Sequence, residues 1–403
     1  MKQTKEKLWT WQYILAVTLT FLFFLSLQAL LGGFPVYVTE ISHNPANAGF
    51  MTTAFMFAAV VSRPIMGMMM HKINMKKLLV LSIVYIFFMI LFSFIWESIP
   101  ALVILRVFQG LGFGVTTTLL ATVVTNVVPN HRLGEGIGYY GMATSVGTTI
   151  GPMVALFFIH SVSFYALLIF SLVLIVAILA GAMLFKREDM EEVHDYDKEQ
   201  VQNTSLLQSA FAGKAFIPCL LLFLFYITFT GNVNFLDGLG KSVGMSDTSF
   251  FFFILMIMLL ITRPFSGRIY DRRGHKVLLY PSAICAIIGL MMLANMQNMS
   301  TLVIASVFYG LAYGVMQPTL QAWAVSRVLP GNKATANAMA LSFMDLGHAV
   351  GAIILGTVVS RVGYSSMYEF ATILGVVLLL VYFVFNLEGR WIKSKRRQAT
   401  NSL

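Results

Sequence analysis

The sequence predicts an all-α integral membrane protein with twelve transmembrane helices in two six-helix halves. Hydrophobic residues make up 58% of its 403 residues and charged residues only 11%, whereas a soluble domain carries roughly a quarter charged residues. Apolar runs of about 20 residues, each long enough to cross a bilayer as a helix, recur along the chain. Short motifs also recur at a constant spacing of 200 residues. These observations indicate that lipid, and not bulk water, surrounds most of the chain.

The twelve predicted helices follow from the positions of the apolar runs. They span residues 11–38, 46–70, 76–95, 99–126, 135–158, 162–185, 214–238, 247–270, 276–296, 300–326, 334–357 and 364–387. We expect the first to be retained and not cleaved as a signal peptide, because its apolar run is too long and no cleavage region follows. Cys219 and Cys285 both fall in apolar runs, so we expect neither a disulfide framework nor a metal-ligand cluster.

The basic residues predict which side of the membrane each loop occupies. If both termini lie on one side, 22 of the 27 lysines and arginines fall in the loops and termini of that side. Because cytoplasmic loops carry the excess of lysine and arginine, we expect a multi-pass cell-membrane protein with both termini in the cytoplasm. The net charge of +10 then reflects topology, and no nucleic-acid partner is expected.

The chain divides into two halves that repeat. SRPIMG at 62–67 matches TRPFSG at 262–267. We predict an N-terminal half at 1–185, a cytoplasmic linker at 186–213, and a C-terminal half at 214–403 that ends in a short basic cytoplasmic tail. Since six is an even number of helices, both halves enter from the same side and are related by a pseudo-two-fold axis along the membrane normal. Transporters built from parallel repeats bind substrate near the bilayer midplane, between the halves.

Three motifs carry a family resemblance. GRIYDRRGHK at 267–276 is similar to a G-x-x-x-D-R-x-G-R-K loop, RVFQGLGFG at 106–114 to an R-x-x-Q-G motif, and GTTIGPMVAL at 147–156 to a G-x-x-x-G-P-x-x-G-G motif. The chain thus resembles the major facilitator superfamily (MFS), and the last motif resembles its twelve-helix proton-antiporter branch of drug and metabolite exporters. The chain departs from these motifs with His71 and Asn74 in the first-half loop, and with Ala155 and Leu156 in the third motif.

The resemblance implies gating by the loop residues and by the fifth helix. Asp271 can pair with neighbouring cations or a helix N-terminus at the cytoplasmic rim, and the alternative is a positively charged anchor with Gly274 as a turn. Gly147 and Gly151, four residues apart, allow close helix packing, which either seals one end of a cavity or only stabilises the bundle. The gating candidates are Gly67, Lys72, Gly267, Asp271, Arg272, Arg273, Gly274, Glu135, Gly147, Gly151 and Pro152.

Three arginines lie well inside predicted helices, more than a turn from either end. Arg106 shares a helix face with Gln109, and a cation at this depth either faces the protein interior or reaches the extracellular interface. The resemblance favours a role of Arg106 in proton coupling. Arg63 and Arg263 precede repeat-equivalent prolines near the cytoplasmic ends of their helices. Their symmetry favours a structural role, with side chains that reach the cytoplasmic interface.

The predicted eleventh helix carries an acid at its centre. Asp345 lies midway along residues 334–357, where an ionised aspartate costs about 2.5–3.5 kcal/mol on insertion scales. His348 follows three residues later and shares its helix face. We expect Asp345 to carry the coupling proton and His348 to tune it. The alternative is a permanently hydrogen-bonded pair that only fixes helix packing.

A further set of polar residues is expected to contact substrate. Tyr309, Tyr313 and Gln317 are spaced four apart and form one stripe on the predicted tenth helix, and Gln28 is a lone amide in apolar sequence. Phenol and amide groups among apolar side chains can orient an organic molecule, and an interhelical hydrogen bond is the alternative for each. The substrate-binding candidates are Gln28, Gln109, Asn232, Asn234, Asp237, Tyr309, Tyr313 and Gln317.

The expected function is proton-coupled export of a small organic compound by alternating access. Uptake by proton symport or uniport is the alternative within transport, and a non-transporting membrane sensor or scaffold is the alternative outside it. The sequence has no nucleotide-binding loop, nucleophile motif or HExxH metal spacing, so we expect no enzyme activity, ATP drive, metal or cofactor. The resemblance implies a monomer whose partners are the small-molecule substrate, protons and the lipid bilayer.

Overall fold

The computed structural model describes residues 8–69, 74–96, 98–129, 132–185, 213–245, 247–328 and 333–401. This part of the chain contains no strand, and twelve of its helices are long and apolar enough to cross a membrane. They are α1 Trp11–Ser42, α2 Pro45–Met69, α3 Met75–Phe92, α4 Ile99–Val127, α5 Leu133–Ser161, α6 Phe164–Met183, α7 Phe216–Ser242, α8 Ser249–Arg273, α9 Lys276–Ala294, α10 Met299–Ser326, α11 Lys333–Val362 and α12 Tyr364–Asn401. The predicted fold class and helix number are therefore confirmed.

The helix ends differ from the predicted ones by a few residues, because several helices continue beyond the apolar run. The first helix extends to Ser42 and the eleventh to Val362. Capping side chains fix other ends: Thr10 accepts a hydrogen bond from the Tyr13 amide at 3.2 Å and begins α1. Gly274 ends α8 with a φ of 72°, a left-handed conformation that favours glycine.

Buried hydrophobic side chains form two clusters that follow the two sequence repeats. One cluster draws on residues 8–185, with Ala349 added from α11. The other draws on residues 215–382, with three residues added from the first half: Val36, Ala48 and Leu156. Each half therefore has a core of its own. The predicted linker at 186–213 lies outside the described residues, except for its last residue.

The outside of the helix bundle is apolar. Leu81, Val173 and Phe265 expose 63%, 61% and 59% of their surface, and many other large apolar side chains on the helices are also exposed. A soluble monomer rarely exposes apolar patches on this scale. Helices can carry such a surface into lipid because their backbone polar groups are satisfied internally.

Glycines give the closest helix contacts inside each half. A Cβ on Gly151 would lie 2.7 Å from the Ala29 backbone nitrogen of α1, and Gly147 also faces α1. In the second half, a Cβ on Gly351 would lie 2.9 Å from the Ile227 Cα of α7. These glycines therefore pack α5 on α1 and α11 on α7, as small residues do in membranes. The contact of Gly147 and Gly151 with α1 lies within the first half. This favours a packing role for the two glycines over sealing of the boundary between the halves.

Polar contacts join the two halves at one end of the bundle. We call this end outer, and we call inner the opposite end, which carries the basic loops. At the outer end, Lys241 of α7 donates to Glu40 of α1 at 2.5 Å. There, His160 Nε2 of α5 also lies 2.9 Å from Asp237 Oδ1 of α7. Gly49 of α2 approaches α11 so closely that an added Cβ would clash with an α11 carbonyl oxygen.

Gly151→Ala is expected to destabilise the folded protein. The added methyl group would meet backbone atoms of α1, so no side-chain rotation can relieve the clash. Because overpacking costs about 1–3 kcal/mol, we expect a lower midpoint of thermal unfolding in detergent. Gly138→Ala is the matched control, since nothing lies within 4 Å of its added Cβ. Equal midpoints for the two variants would contradict the packing role.

Candidate functional site

An ion pair joins the two halves near the middle of the bundle. Arg63 of α2 donates from Nε to Asp345 Oδ2 of α11 at 2.9 Å, and its Nη2 lies 2.8 Å from the same oxygen. The two side chains expose only 15% and 12% of their surface. The expectation that Arg63 reaches the cytoplasmic interface is therefore wrong. Its long side chain turns inward because a buried carboxylate compensates the charge of the guanidinium, which lipid cannot do.

Arg263, which is equivalent to Arg63 in the repeat, contacts the equivalent helix of the other half, but it meets no acid in the described part of that helix. Arg263 of α8 donates to the Gly141 carbonyl and the Ser145 hydroxyl of α5. It also donates to Gln317 Oε1 of α10 at 2.6 Å. Ser145 and Asp345 are 200 residues apart, as are the two arginines. The predicted reach of Arg263 to the cytoplasmic interface is also wrong, because its guanidinium contacts α5 in the other half.

His348 lies three residues from Asp345 but pairs with α7. Its Nδ1 is 2.8 Å from the Thr230 hydroxyl, which donates to the Tyr226 carbonyl at 2.7 Å. The imidazole ring packs edge-on against the rings of Tyr226 and Phe229, at centroid distances of 5.0 and 5.6 Å. Within the described part of the chain, no hydrogen bond or ion pair joins His348 to Asp345. Both face the interior as expected, but each finds its partner on a different helix.

The predicted stripe on α10 divides in the folded protein. Tyr309 is fully buried in the second half, and its hydroxyl lies 2.9 Å from that of Thr228. Tyr313 stacks on Phe229 at a centroid distance of 4.6 Å, and its hydroxyl interacts with Thr149 of α5 across the boundary between the halves. Tyr309 therefore stabilises the second half from within, whereas Tyr313 and Gln317 lie at the boundary with the first half.

Tyr226 of α7 lies near both arginine contacts. It is close to Arg263 and to Asp345, and its ring centroid lies 6.5 Å from that of Tyr313. One polar region thus occupies the middle of the bundle, at the boundary between the halves. We call it the central cluster, and it consists of Arg63, Asp345, Tyr226, Tyr313, Arg263, Ser145 and Gln317.

Two amides continue the central cluster towards the inner end. Gln317 donates to Gln321 Oε1 at 3.0 Å, and Gln321 donates to Asn337 Oδ1 of α11 at 2.6 Å. Sequence reasoning missed both Gln321 and Asn337. Gln321 could have been found, because it continues the four-residue spacing of the α10 stripe.

Arg106 and Gln109 form a separate site inside the first half. Arg106 Nη1 donates to Gln109 Oε1 at 2.9 Å. Its guanidinium lies 4.2 and 4.8 Å from the ring centroids of Phe55 and Phe34, an arrangement that stabilises a cation. Arg106 is completely buried, so the alternative of reaching the extracellular interface is wrong. No hydrogen bond or ion pair among the described residues links Arg106 to the central cluster.

The α7 candidates lie nearer the outer end. Asn234 accepts a hydrogen bond from the Thr52 hydroxyl of α2 at 3.0 Å, and Asp237 lies 3.0 Å from Lys241 Nζ. Asn234 and Asp237 both line a cavity of about 440 Å³ at the outer end. Asn232 is fully buried, and neither its amide oxygen nor its nitrogen has a hydrogen-bond partner among the described residues.

The gating candidates at the inner end of α8 are exposed. Asp271, Arg272 and Arg273 lie on the surface, and Asp271 forms no ion pair with any residue that the structure describes. Gly267 has open space where a Cβ would stand. Gating by Asp271 stays a prediction.

The remaining candidates either lie outside the described residues or belong to other parts of the first half. Lys72 and the side chain of Glu135 lie outside the described residues, and Gly67 belongs to the last turns of α2. Gln28 is buried on α1 beside Gly151, and Pro152 packs against α1 in the same helix contact.

A histidine that the sequence did not single out caps the inner end of the second half. His275 stacks on Trp323 at a centroid distance of 4.1 Å, and its Nδ1 lies 2.7 Å from the Tyr382 hydroxyl. Burial lowers the pKa of His275 to about 4, and the charges of Lys276 and Arg327 act in the same direction. The imidazole is therefore neutral at physiological pH.

Comparison with known proteins agrees with this architecture. The profile of the Major Facilitator Superfamily matches residues 16–352. The staphylopine export protein of Staphylococcus aureus is 22% identical over 389 residues, which cover 93% of this chain and 96% of that protein. Multidrug resistance protein MdtG of Klebsiella pneumoniae is 24% identical over 374 residues, which cover 85% of each.

Solved transporter structures share the fold. A D-xylose-proton symporter superposes with a TM-score of 0.73 at 16% identity, covering 92% of this chain and 96% of that chain. The nucleoside transporter NupG superposes with a TM-score of 0.68 at 16% identity, covering 93% and 99%. At these identities the likeness shows the fold alone.

Acidification is expected to destabilise the inner end through His275. In the unfolded chain this group takes up a proton near its ordinary pKa of about 6.5, whereas in the folded protein it does so at about 4. Between these values protons favour the unfolded chain, so stability falls as pH falls. We expect the unfolding midpoint in detergent to fall more for the unaltered protein than for His275→Phe.

His43→Asn is the matched control for this comparison. His43 is exposed and has a positive φ of 51°, which asparagine tolerates. The unfolding midpoint of His43→Asn should depend on pH as that of the unaltered protein does. The same pH dependence in His275→Phe would show that protonation of His275 is not what weakens the inner end.

Proposed function

Because the chain belongs to the Major Facilitator Superfamily, a family of transporters, we propose that it is a proton-coupled exporter of a small organic compound. The two halves alternate access to a site between them, in the cell membrane, with both termini in the cytoplasm and the chain acting as a monomer. The observation that carries this proposal is the ion pair between Arg63 and Asp345, which connects one half to the other at the middle of the bundle.

Proton coupling follows from the chemistry of this pair. While Asp345 is ionised, it neutralises Arg63 and holds α2 against α11. A proton on Asp345 removes the attraction and weakens the contact between the halves. The charged and titratable groups near Asp345 are Arg63 of α2 and Tyr226 of α7, and Tyr226 is also near Arg263 of α8. A proton shifts the balance between two conformations only if its affinity differs between them, and breaking the pair supplies that difference.

Two observations support export as the direction. The relatives with broad coverage include a staphylopine export protein and a multidrug resistance protein. In addition, polar contacts join the outer ends of the halves, whereas Asp271 at the inner end forms no ion pair with the residues that the structure describes; this arrangement suits loading from the inner side. The MFS fold also serves a proton symporter, so uptake by symport is the second candidate and uses the same ion pair.

The first step of the test identifies a compound to follow. Metabolites in the medium are compared between cells that overproduce the chain and cells that lack it, and the compound that rises most becomes the probe. Inside-out vesicles with an acidic interior are then loaded from outside with this probe. Each coupled proton supports about tenfold accumulation per pH unit, because one unit corresponds to about 1.4 kcal/mol. Depletion in place of accumulation would favour symport.

Asp345→Asn is expected to abolish accumulation driven by the pH gradient, because an amide cannot carry the proton. It should still exchange labelled for unlabelled probe when no gradient is present. Glu369→Gln is the matched control, since Glu369 is an exposed acid on α12 and should keep full accumulation.

A second variant separates coupling from folding. Arg63→Gln combined with Asp345→Asn leaves no unpaired charge, so the fold should be retained even if the single variant unfolds. We expect the double variant to exchange probe without accumulating it. Gradient-driven accumulation by either variant would refute Asp345 as the proton carrier.

A further inference from the structure

The central cluster holds two arginines but one acid. Asp345 neutralises Arg63, whereas the partners of Arg263 are a carbonyl, a hydroxyl and an amide oxygen, all of them neutral. These acceptors satisfy hydrogen bonds, but they do not cancel the charge. The Nε of Arg263 is buried without a hydrogen-bond partner, and no ion pair to Arg263 occurs among the described residues.

The repeat shows where a negative charge would stand. Asp345 meets its arginine at the position that Ser145 occupies in the other half, 200 residues earlier. The backbone geometry at this second contact therefore suits a carboxylate, yet the chain supplies only a hydroxyl. A buried cation in a membrane protein is costly unless it is paired or lines a pathway. The missing negative charge can come from a ligand.

The groups around Arg263 define what kind of ligand fits. A planar guanidinium can bind a carboxylate with two parallel hydrogen bonds, and in Arg263 the unpaired Nε and an Nη2 that now serves neutral acceptors can supply them. Tyr226 and Tyr313 lie near Arg263, and phenols can donate hydrogen bonds to a carboxylate. Tyr313 stacks on Phe229, so aromatic surface adjoins the charge. An anionic group attached to a flat apolar body matches this combination.

We propose that Arg263 binds the anionic group of the transported compound, and that this compound is an organic carboxylate with an aromatic or apolar body. This inference rests on the proposed transport function and names its substrate class. Arg263 of α8 contacts α5 across the boundary between the halves, so a carboxylate bound there has different partners when the halves rearrange. The substrate anion and the coupling proton then act on different arginines, Arg263 and Arg63.

Ser145→Asp supplies the missing acid from the chain itself and tests the proposal. At neutral pH it should form the second ion pair, keep or raise the unfolding midpoint, and compete with a ligand carboxylate for Arg263. Ser145→Asn is the matched control, because it adds similar bulk without charge. The probes are benzoate and indole-3-acetate, with benzamide and indole-3-acetamide as neutral counterparts, each titrated against the thermal stability of the purified full-length protein.

We expect both carboxylates, and neither amide, to stabilise the unaltered protein. Ser145→Asp should weaken the apparent affinity for the carboxylates by roughly tenfold or more, the scale of a lost charge-assisted contact. Ser145→Asn should change the affinity for the carboxylates far less, and Arg263→Gln should abolish carboxylate binding. Stabilisation by the amides to the same extent, no stabilisation by either carboxylate, or unchanged affinity in Ser145→Asp would each overturn the proposal.

The two proposals fail separately. The binding titration uses no pH gradient, so its failure removes the carboxylate site and leaves proton coupling through Asp345 intact. Conversely, Asp345→Asn should retain carboxylate binding in this titration. If Asp345→Asn still accumulated the metabolite in the vesicle test, the coupling proposal would be refuted, and the carboxylate site at Arg263 would be unaffected.

Discussion

The charge pair between Arg63 and Asp345 constrains much of this structure. Each charge lies on a helix that is otherwise apolar, and an isolated charge at the centre of a membrane helix costs about 2.5–3.5 kcal/mol on insertion scales. The two charges belong to different halves and lie 2.8 Å apart. Their pairing removes both from lipid and ties α2 to α11. Any conformation that separates these helices must therefore compensate both charges in another way.

The internal repeat makes the asymmetry of the central cluster visible. Duplication placed an arginine at the same point of α2 and α8, and both turn to the facing helix of the opposite half. One meets an acid and the other meets Ser145. Equivalent geometry with unequal charge leaves a net positive region at the boundary between the halves. In this arrangement, one contact is suited to titration and the other to recognition of an anion.

The contacts within the halves and between them differ in kind. Most of each apolar cluster, and glycine contacts such as that of Gly151 with α1, lie within one half, and the close contact of Gly49 with α11 crosses the boundary. The contacts between halves include discrete polar ones: the central cluster, and at the outer end the Lys241–Glu40 pair. Close packing resists deformation, whereas a polar contact can exchange partners. Separation of the halves therefore requires new partners for the polar contacts and also opens the close contact of Gly49 with α11.

Sequence alone determined the helix number, the membrane setting, the repeat and the position of Asp345 near the middle of its helix, because helix length and local composition carry that information. It also placed Tyr313 and His348 on inward faces. The sequence did not determine which buried polar side chains pair with each other. Arg63 was assigned to the membrane interface and Asp345 to His348, whereas the structure joins Arg63 to Asp345 across 282 residues and His348 to Thr230 across 118. An arginine near a helix end can reach either water or a neighbouring helix. Only the packing of helices distant in sequence decides which of these it contacts.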